Sequence, residues 1–304
     1  MCIEAKEALT WWTLDPLALS AIGVSTSVYS RGLFVLWRSA GVGRGIRRLE
    51  ASAFYLGQLS LLIALVSPID RLSDLLFSAH MTQHEILLVV APPLVVLGKP
   101  LVAFGWAFGV RRRARVMRAL DSPRLGRVWR AISAPLIILL VHGLVLWLWH
   151  IPALFEAALR NESIHALQHA SFFLTAVIFW WAIARGRYGR GGYGLAAAFV
   201  FATAMHTSIL GALLTVASRL WYPLYAARGQ AWSVDVLEDQ ELAGLIMWVP
   251  AGVLLGLLAL GLFAAWLGEA GRRAHHADRR RSAAVVLAAS GNYEPPAPHS
   301  PASP

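Results

Sequence analysis

LFSAHMTQHEILLVVAPPLVVLG, residues 76–98, decides how this chain is read. It carries one acid, Glu85, and no lysine or arginine. At 1.5 Å rise per residue a stretch of this length crosses the hydrocarbon core of a bilayer as a helix. Its first two turns hold His80 and His84, four residues apart and therefore on one helix face. Pro92 and Pro93 are expected to kink or end the helix, leaving the inner part bent or re-entrant. Similar apolar runs recur at about 16–37, 50–67 (stopped by Pro68), 131–149, 163–184, 194–217 and 239–267. Residues 101–110 are too short to span and are read as interfacial. The pattern predicts an all-α membrane protein, a bundle of seven transmembrane helices over 16–267. Residues 1–15 precede it as an outer segment. A basic, then Ala/Pro/Ser-rich tail follows over 268–304 and is expected to be disordered.

Composition agrees. The chain is 57% apolar and 14% charged, with mean hydropathy +0.57, where soluble domains carry nearer a quarter charged residues. The net charge of +10 does not point to nucleic acid, because the basic residues lie between hydrophobic runs rather than along a soluble face. Of the 27 lysines and arginines, counting Arg31 with the inner end of the first run, 22 belong with the connections after the first, third, fifth and seventh runs and 5 lie elsewhere. The positive-inside rule then places the N-terminus outside and the C-terminus in the cytoplasm, which requires an odd number of spans. The basic 111–130 connection is read as contact with anionic lipid headgroups at the cytoplasmic face. Cys2 is the single cysteine, so neither an internal disulfide nor a thiolate cluster is available.

With that orientation the third and fifth spans run inward. His80 and His84, and the His165 and His169 of HALQH, then lie at matched depth toward the outer side. The fourth span ends LWLWH and leaves His150 at the outer surface. Imidazoles are costly in a membrane unless they face a partner or a cavity. The alternatives are a shared metal site or interfacial histidines that cap helices and bond one another. His142, about 12 Å deeper than His150 along its helix, reads as a packing histidine bonded to a neighbouring helix. His206 reads either as a deep ligand or as a proton-accepting partner. Met247 is a candidate thioether ligand, although methionine is more often core filler. Asp239 and Glu85 are placed to orient a ligating imidazole through its second N–H.

Imidazole with thioether suits copper, Cu(I) above all, with zinc as the second choice. HMTQHE is not HExxH, because the acid follows the second histidine, so a zincin-type hydrolase has no support. No catalytic triad or phosphate loop is present, and the inner halves of spans three, five and seven lack the polar groups a conduction path needs. The residues therefore read as a non-enzymatic metal-handling protein. Two alternatives stay open: a b-type haem protein with histidines as axial ligands, and a metal-free scaffold.

The segments HMTQHEILLVVAPPLVVLGKP (80–100), LWLWHIPALFEAAL (146–159), IHALQHASFFLTAVIFWW (164–181), LGALLTVASRLWYPLY (210–225) and DQELAGLIMWVPAG (239–252) resemble the CtaG-type cytochrome c oxidase assembly proteins, polytopic proteins of bacteria. The resemblance runs from about 50 to 266. It implies a role in assembling a caa-type terminal oxidase in the bacterial plasma membrane, with oxidase subunits as partners and copper handled at the outer face. The positions it puts at stake are His80, His84, His150, His165 and His169, with Asp239 and Met247 in the last segment. Glu85 stands where an apolar residue is expected, and Phe155 where tyrosine is common.

Overall fold

The computed structural model of the chain describes residues 12–109, 122–132, 134–184, 192–229 and 234–289, together with 111, 113, 114 and 118. Parts of the expected N-terminal segment and tail, and much of two basic connections, lie outside these residues. Among the described residues there are helices and no strands. In chain order they are α1 (Pro16–Ala40), α2 (Arg48–Val66), α3 (Pro68–Ser73), α4 (Phe77–Glu85), a π-helical turn (Ile86–Val90), α5 (Ala91–Leu97) and α6 (Pro100–Ala107). Then come α7 (Pro123–Ile132), α8 (Pro135–Trp149), α9 (Pro152–Arg160), α10 (Glu162–Ala184), α11 (Gly192–Thr215), α12 (Leu224–Gly229) and α13 (Val236–Ala289).

Among the described residues, six stretches are each long and apolar enough to cross a membrane: α1, α2, Phe77–Leu97, α10, α11 and α13. The fourth expected span departs from a straight helix. Its 15-residue α8 covers about 22 Å of a core near 30 Å. The chain then bends by 71° into α9, and only that bent pair taken together makes a seventh span. Pro152 causes the break, because it opens α9, lacks an N–H and disfavours helical geometry at Ile151. At the other end, α13 continues well past the expected limit near 267, to Ala289. The ion pair between Glu269 and Arg273, 2.6 Å and one turn apart, and an alanine-rich sequence favour helix there.

The proline pair neither ends nor reverses the third span. Pro92 has no N–H to give the Leu88 carbonyl one turn back, and its ring would crowd that oxygen. The π-helical turn opens the ladder just ahead of the prolines, and the Trp180 indole of α10 donates to the Leu88 oxygen at 3.0 Å. The helix thus continues as α5.

Two close approaches fix the bundle. α11 and α13 cross at Gly211 and Gly244, where a methyl on Gly244 would stand 2.7 Å from the Gly211 oxygen, the small-residue contact that lets membrane helices meet. α6, expected at the interface, lies on α1 at Gly32, where a methyl would meet the Ala103 backbone carbon at 2.6 Å. Tyr29 donates to the Gly98 carbonyl at 2.8 Å, and Arg31 to that of Ala107 at 3.0 Å. One apolar core lies among α5, α8, α10, α11 and α13, around Phe179, Phe199 and Leu255. A second, around Phe77, Phe155, Phe172 and Tyr222, encloses the histidines.

Candidate metal centre

Five histidines come together from two helices, α4 and α10, and the end of a third, α8. Ring centroids lie 4.3 Å apart for His80 and His84, 4.1 Å for His165 and His169, 5.3 Å for His80 and His165, 5.4 Å for His84 and His169, and 6.3 Å for His84 and His150. The two i,i+4 pairs of α4 and α10 therefore face each other at one level, as their spacing predicts. His150 departs from the expected surface position and is only 2% exposed. The 71° turn folds it inward, its Nδ1 is 2.7 Å from the Leu146 carbonyl, and the Tyr222 hydroxyl donates to the His150 carbonyl at 2.8 Å.

Aromatic rings seal the cluster. Phe155 of α9 lies 4.9 Å from His80, Phe172 lies 4.8 Å from His84, and Tyr222 stacks on Phe155 at 4.1 Å. Tyr222 and Tyr225 belong to the connection between α11 and α13, whose role the sequence alone did not disclose. Burial pushes both phenols up, so they act as donors, Tyr225 to the Ser73 carbonyl at 3.0 Å. Arg228 of the same connection donates to the Asp74 and Leu159 carbonyls at 3.1 and 2.9 Å. Burial also raises the Asp74 carboxyl, against the pull of Arg228.

Both ring nitrogens of His80 and of His84, and Nε2 of His150, His165 and His169, are buried and find no hydrogen-bond partner among the described residues. A backbone acceptor beside His80, the Ser73 carbonyl, already receives Tyr225. Buried polar atoms left unsatisfied cost about 1–3 kcal/mol each, so a set of them in one place points to a ligand. His80, His165 and His169 each offer a nitrogen within 4.8 Å of the others. Metal–nitrogen bonds near 2.0–2.1 Å need donors about 3.5 Å apart, so the triad would close by about an ångström around an ion. All-imidazole donation with no thiolate fits copper or zinc. Gln168, fully buried between the paired histidines with neither amide atom bonded, is a polar neighbour that the histidine spacing did not flag.

The other candidates stand apart. Asp239 does not reach an imidazole. Its carboxylate accepts the Phe77 N–H at 2.6 Å and also the Ser78 hydroxyl, capping the N-terminus of α4, whose free N–H groups attract an anion. Met247 packs in the second apolar core. Glu85 lies on a different face of its helix from His80 and His84 and lines a cavity of about 30 Å³ with His142 and Met247. His142 bonds across to the Thr175 hydroxyl of α10 at 3.1 Å, as a packing histidine should. His206 lies beside His142 at 6.5 Å and outside the five-membered cluster.

The chain is 25% identical over 277 residues to uncharacterized proteins of Mycobacterium bovis and of Mycobacterium tuberculosis, covering 89% of this chain and 42% of each relative. An uncharacterized protein of Mycobacterium leprae is 26% identical over 291 residues, covering 89% of this chain and 41% of that protein. The chain thus spans about two-fifths of the length of these relatives. No solved structure matches it. The family model for the cytochrome c oxidase caa3 assembly factor (Caa3_CtaG) matches residues 27–269, from α1 through the spanning part of α13. Every residue of the histidine cluster and of its aromatic seal lies inside that match, and the chain belongs to the cytochrome c oxidase caa3 assembly factor family.

Proposed function

We propose that this chain serves the assembly of a haem–copper cytochrome c oxidase in the bacterial plasma membrane, by holding copper at His80, His165 and His169 and passing it to an oxidase subunit. The observation that carries the reading is the convergence of these imidazoles from two spans, with ring nitrogens that have no hydrogen-bond partner. The family description supplies the oxidase, and the donor set supplies the preference for copper, with zinc second. Three imidazoles that must close to bind suit a cargo that is later released. His84 and His150, next along the chain of rings, are additional donors. The distribution of basic residues puts the cluster toward the outer face and the arginine-rich connections against anionic lipid on the cytoplasmic side. The role is stoichiometric transfer rather than catalytic turnover.

The deciding experiment is metal content with an optical spectrum on detergent-purified protein loaded anaerobically with Cu(I), beside a His80→Ala, His169→Ala variant. Near-stoichiometric copper in the parent, lost in the variant and without a Soret band, supports the reading. A Soret band would favour the haem alternative, and no copper in either protein would favour the scaffold. Full oxidase activity at limiting copper in cells carrying only the double variant would also sink it.

A further inference from the structure

Two openings reach the histidine cluster, and they differ in chemistry. One is an apolar groove of about 580 Å³ between α1, α2, α5 and α10, walled by Phe54, Leu61, Phe173 and Leu174. The other is a polar vestibule of about 800 Å³ at the end of the bundle where α4 and α10 begin, whose wall includes Asp70, Asp74, Glu162 and Arg228. They border each other along Asp15, Leu17, Leu65 and Ala166, and His169 is the cluster member that lines both.

We propose that a copper cation reaches the triad from the vestibule alone, by way of His165, and that the apolar groove is closed to it. The proposal rests on the copper-holding reading and deepens it by giving the site one loading side. His165 is the half-buried member of the cluster and lines the vestibule only. His169 borders the vestibule as well as the groove, is 8% exposed and has no partner at Nε2 among the described residues. From His165 the next rings are His169 at 4.1 Å and His80 at 5.3 Å, the other two members of the triad. His84 and His150 line neither opening, so an ion meets the triad before it meets them.

Charge points the same way. Of the vestibule's guanidiniums, Arg160 is paired with Glu156 at 2.8 Å, and Arg228 is turned onto two backbone carbonyls with Asp74 at 3.7 Å. Arg71 remains exposed. Against them stand Asp70, Asp74 and Glu162, which line the vestibule and not the groove. Asp70 is engaged by the Gln83 amide at 2.8 Å, and Asp15, shared with the groove, accepts the Leu17 N–H at 2.8 Å. Carboxylates on a polar path lower the barrier for a cation. The groove offers mostly hydrocarbon, where an ion gives up hydration without compensation.

The test measures the rate of Cu(I) uptake from a bicinchoninate complex by the purified full chain in a Cys2→Ser background. Ser163→Cys puts a thiol at the exposed mouth of the vestibule, and Ala170→Cys puts one at the exposed edge of the groove. Each is alkylated with N-phenylmaleimide, with labelling verified by mass. Modified Ser163→Cys should load at least tenfold more slowly at unchanged final stoichiometry, and modified Ala170→Cys within twofold of the parent. Slowing at Ala170→Cys alone, or at neither position, overturns the proposal while leaving the site intact. A Glu162→Gln variant, which needs no labelling, should load more slowly at low salt and match the parent at high salt. A salt-independent rate equal to the parent's counts against the proposal. A parent that binds no copper removes the copper-holding reading itself, and this inference with it.

Discussion

The carboxylate of Asp239, in the first turn of α13, accepts the backbone N–H of Phe77, the first residue of α4, at 2.6 Å. These residues are 162 positions apart. The contact joins the last span to the helix that carries His80 and His84, so the cap sets the height of the cluster as well as the start of a helix. Charged caps on buried N–H groups contribute about 1.5–3 kcal/mol. Asp239→Ala should lower the detergent melting temperature and weaken copper retention together, while Asp239→Asn, which keeps one acceptor oxygen, should recover part of both. A variant that melts early but keeps the parent's copper affinity would show that the cap does not position the histidines.

Trp180→Phe is expected to cost about 1–3 kcal/mol, because it strips the Leu88 carbonyl of the donor that Pro92 cannot supply. Thermal unfolding of the purified variant checks this. Trp266→Phe, at an exposed position within α13, serves as the comparison and should stay within about 0.5 kcal/mol of the parent. Equal effects at the two positions would remove the special role given to the π-helical turn.

Gly32→Ala drives a methyl into the Ala103 backbone where α1 meets α6, and overpacking of this kind costs about 1–3 kcal/mol. Gly23→Ala on the same helix has nothing within 4 Å, so only the gain in helix propensity remains. Melting curves should therefore move in opposite directions for the two alanines. A shift of the same sign in both would mean that α6 can slide off α1 at little cost.

Much of this was legible in the sequence because it depends on periodicity and length. HMTQH and HALQH each place two imidazoles on one face, and two spans running the same way bring those faces to one level. The 71° turn was not legible, since Pro152 marks a break without saying which way the chain leaves it. His150 therefore reads as a surface residue in the sequence and is a core residue in the fold. Asp239 reads as a partner for an imidazole because carboxylates often are. The competing demand of the α4 N-terminus becomes visible only once α13 is laid beside it. The vestibule is built by Asp74, His165 and Arg228, residues from three separate connections and helix ends, and no spacing rule links them.

Tyr222→Phe tests the seal over the cluster. The substitution keeps the ring that stacks on Phe155 at 4.1 Å and deletes the hydroxyl that donates to the His150 carbonyl. One neutral hydrogen bond contributes about 0.5–1.5 kcal/mol, so the melting temperature should fall only slightly. Copper release should accelerate more than stability falls, because the bond closes the turn behind the imidazoles. Tyr222→Leu, which also removes the ring, should do more on both counts. Identical release rates for the parent and the phenylalanine variant would assign the closure to the aromatic stack alone.

The sharpest prediction concerns rank among the histidines. Binding energies of about 10–16 kcal/mol for four-ligand sites imply roughly 3 kcal/mol per ligand, or about a hundredfold in affinity. Single alanine substitutions of His80, His165 or His169 should each weaken Cu(I) binding by about that factor, measured by competition with a chelator of known affinity. His206→Ala and Met247→Leu should leave it within about twofold, because neither side chain lies among the five rings. His84→Ala and His150→Ala should fall between, since both are buried and carry nitrogens without partners, yet neither belongs to the triad whose donors lie within 4.8 Å of one another. A loss at His206 matching that at His169 would move the site down the helix toward His142 and Glu85. A loss at His84 exceeding that at His165 would instead make the deeper rings the resting site and the outer triad the station an ion passes through.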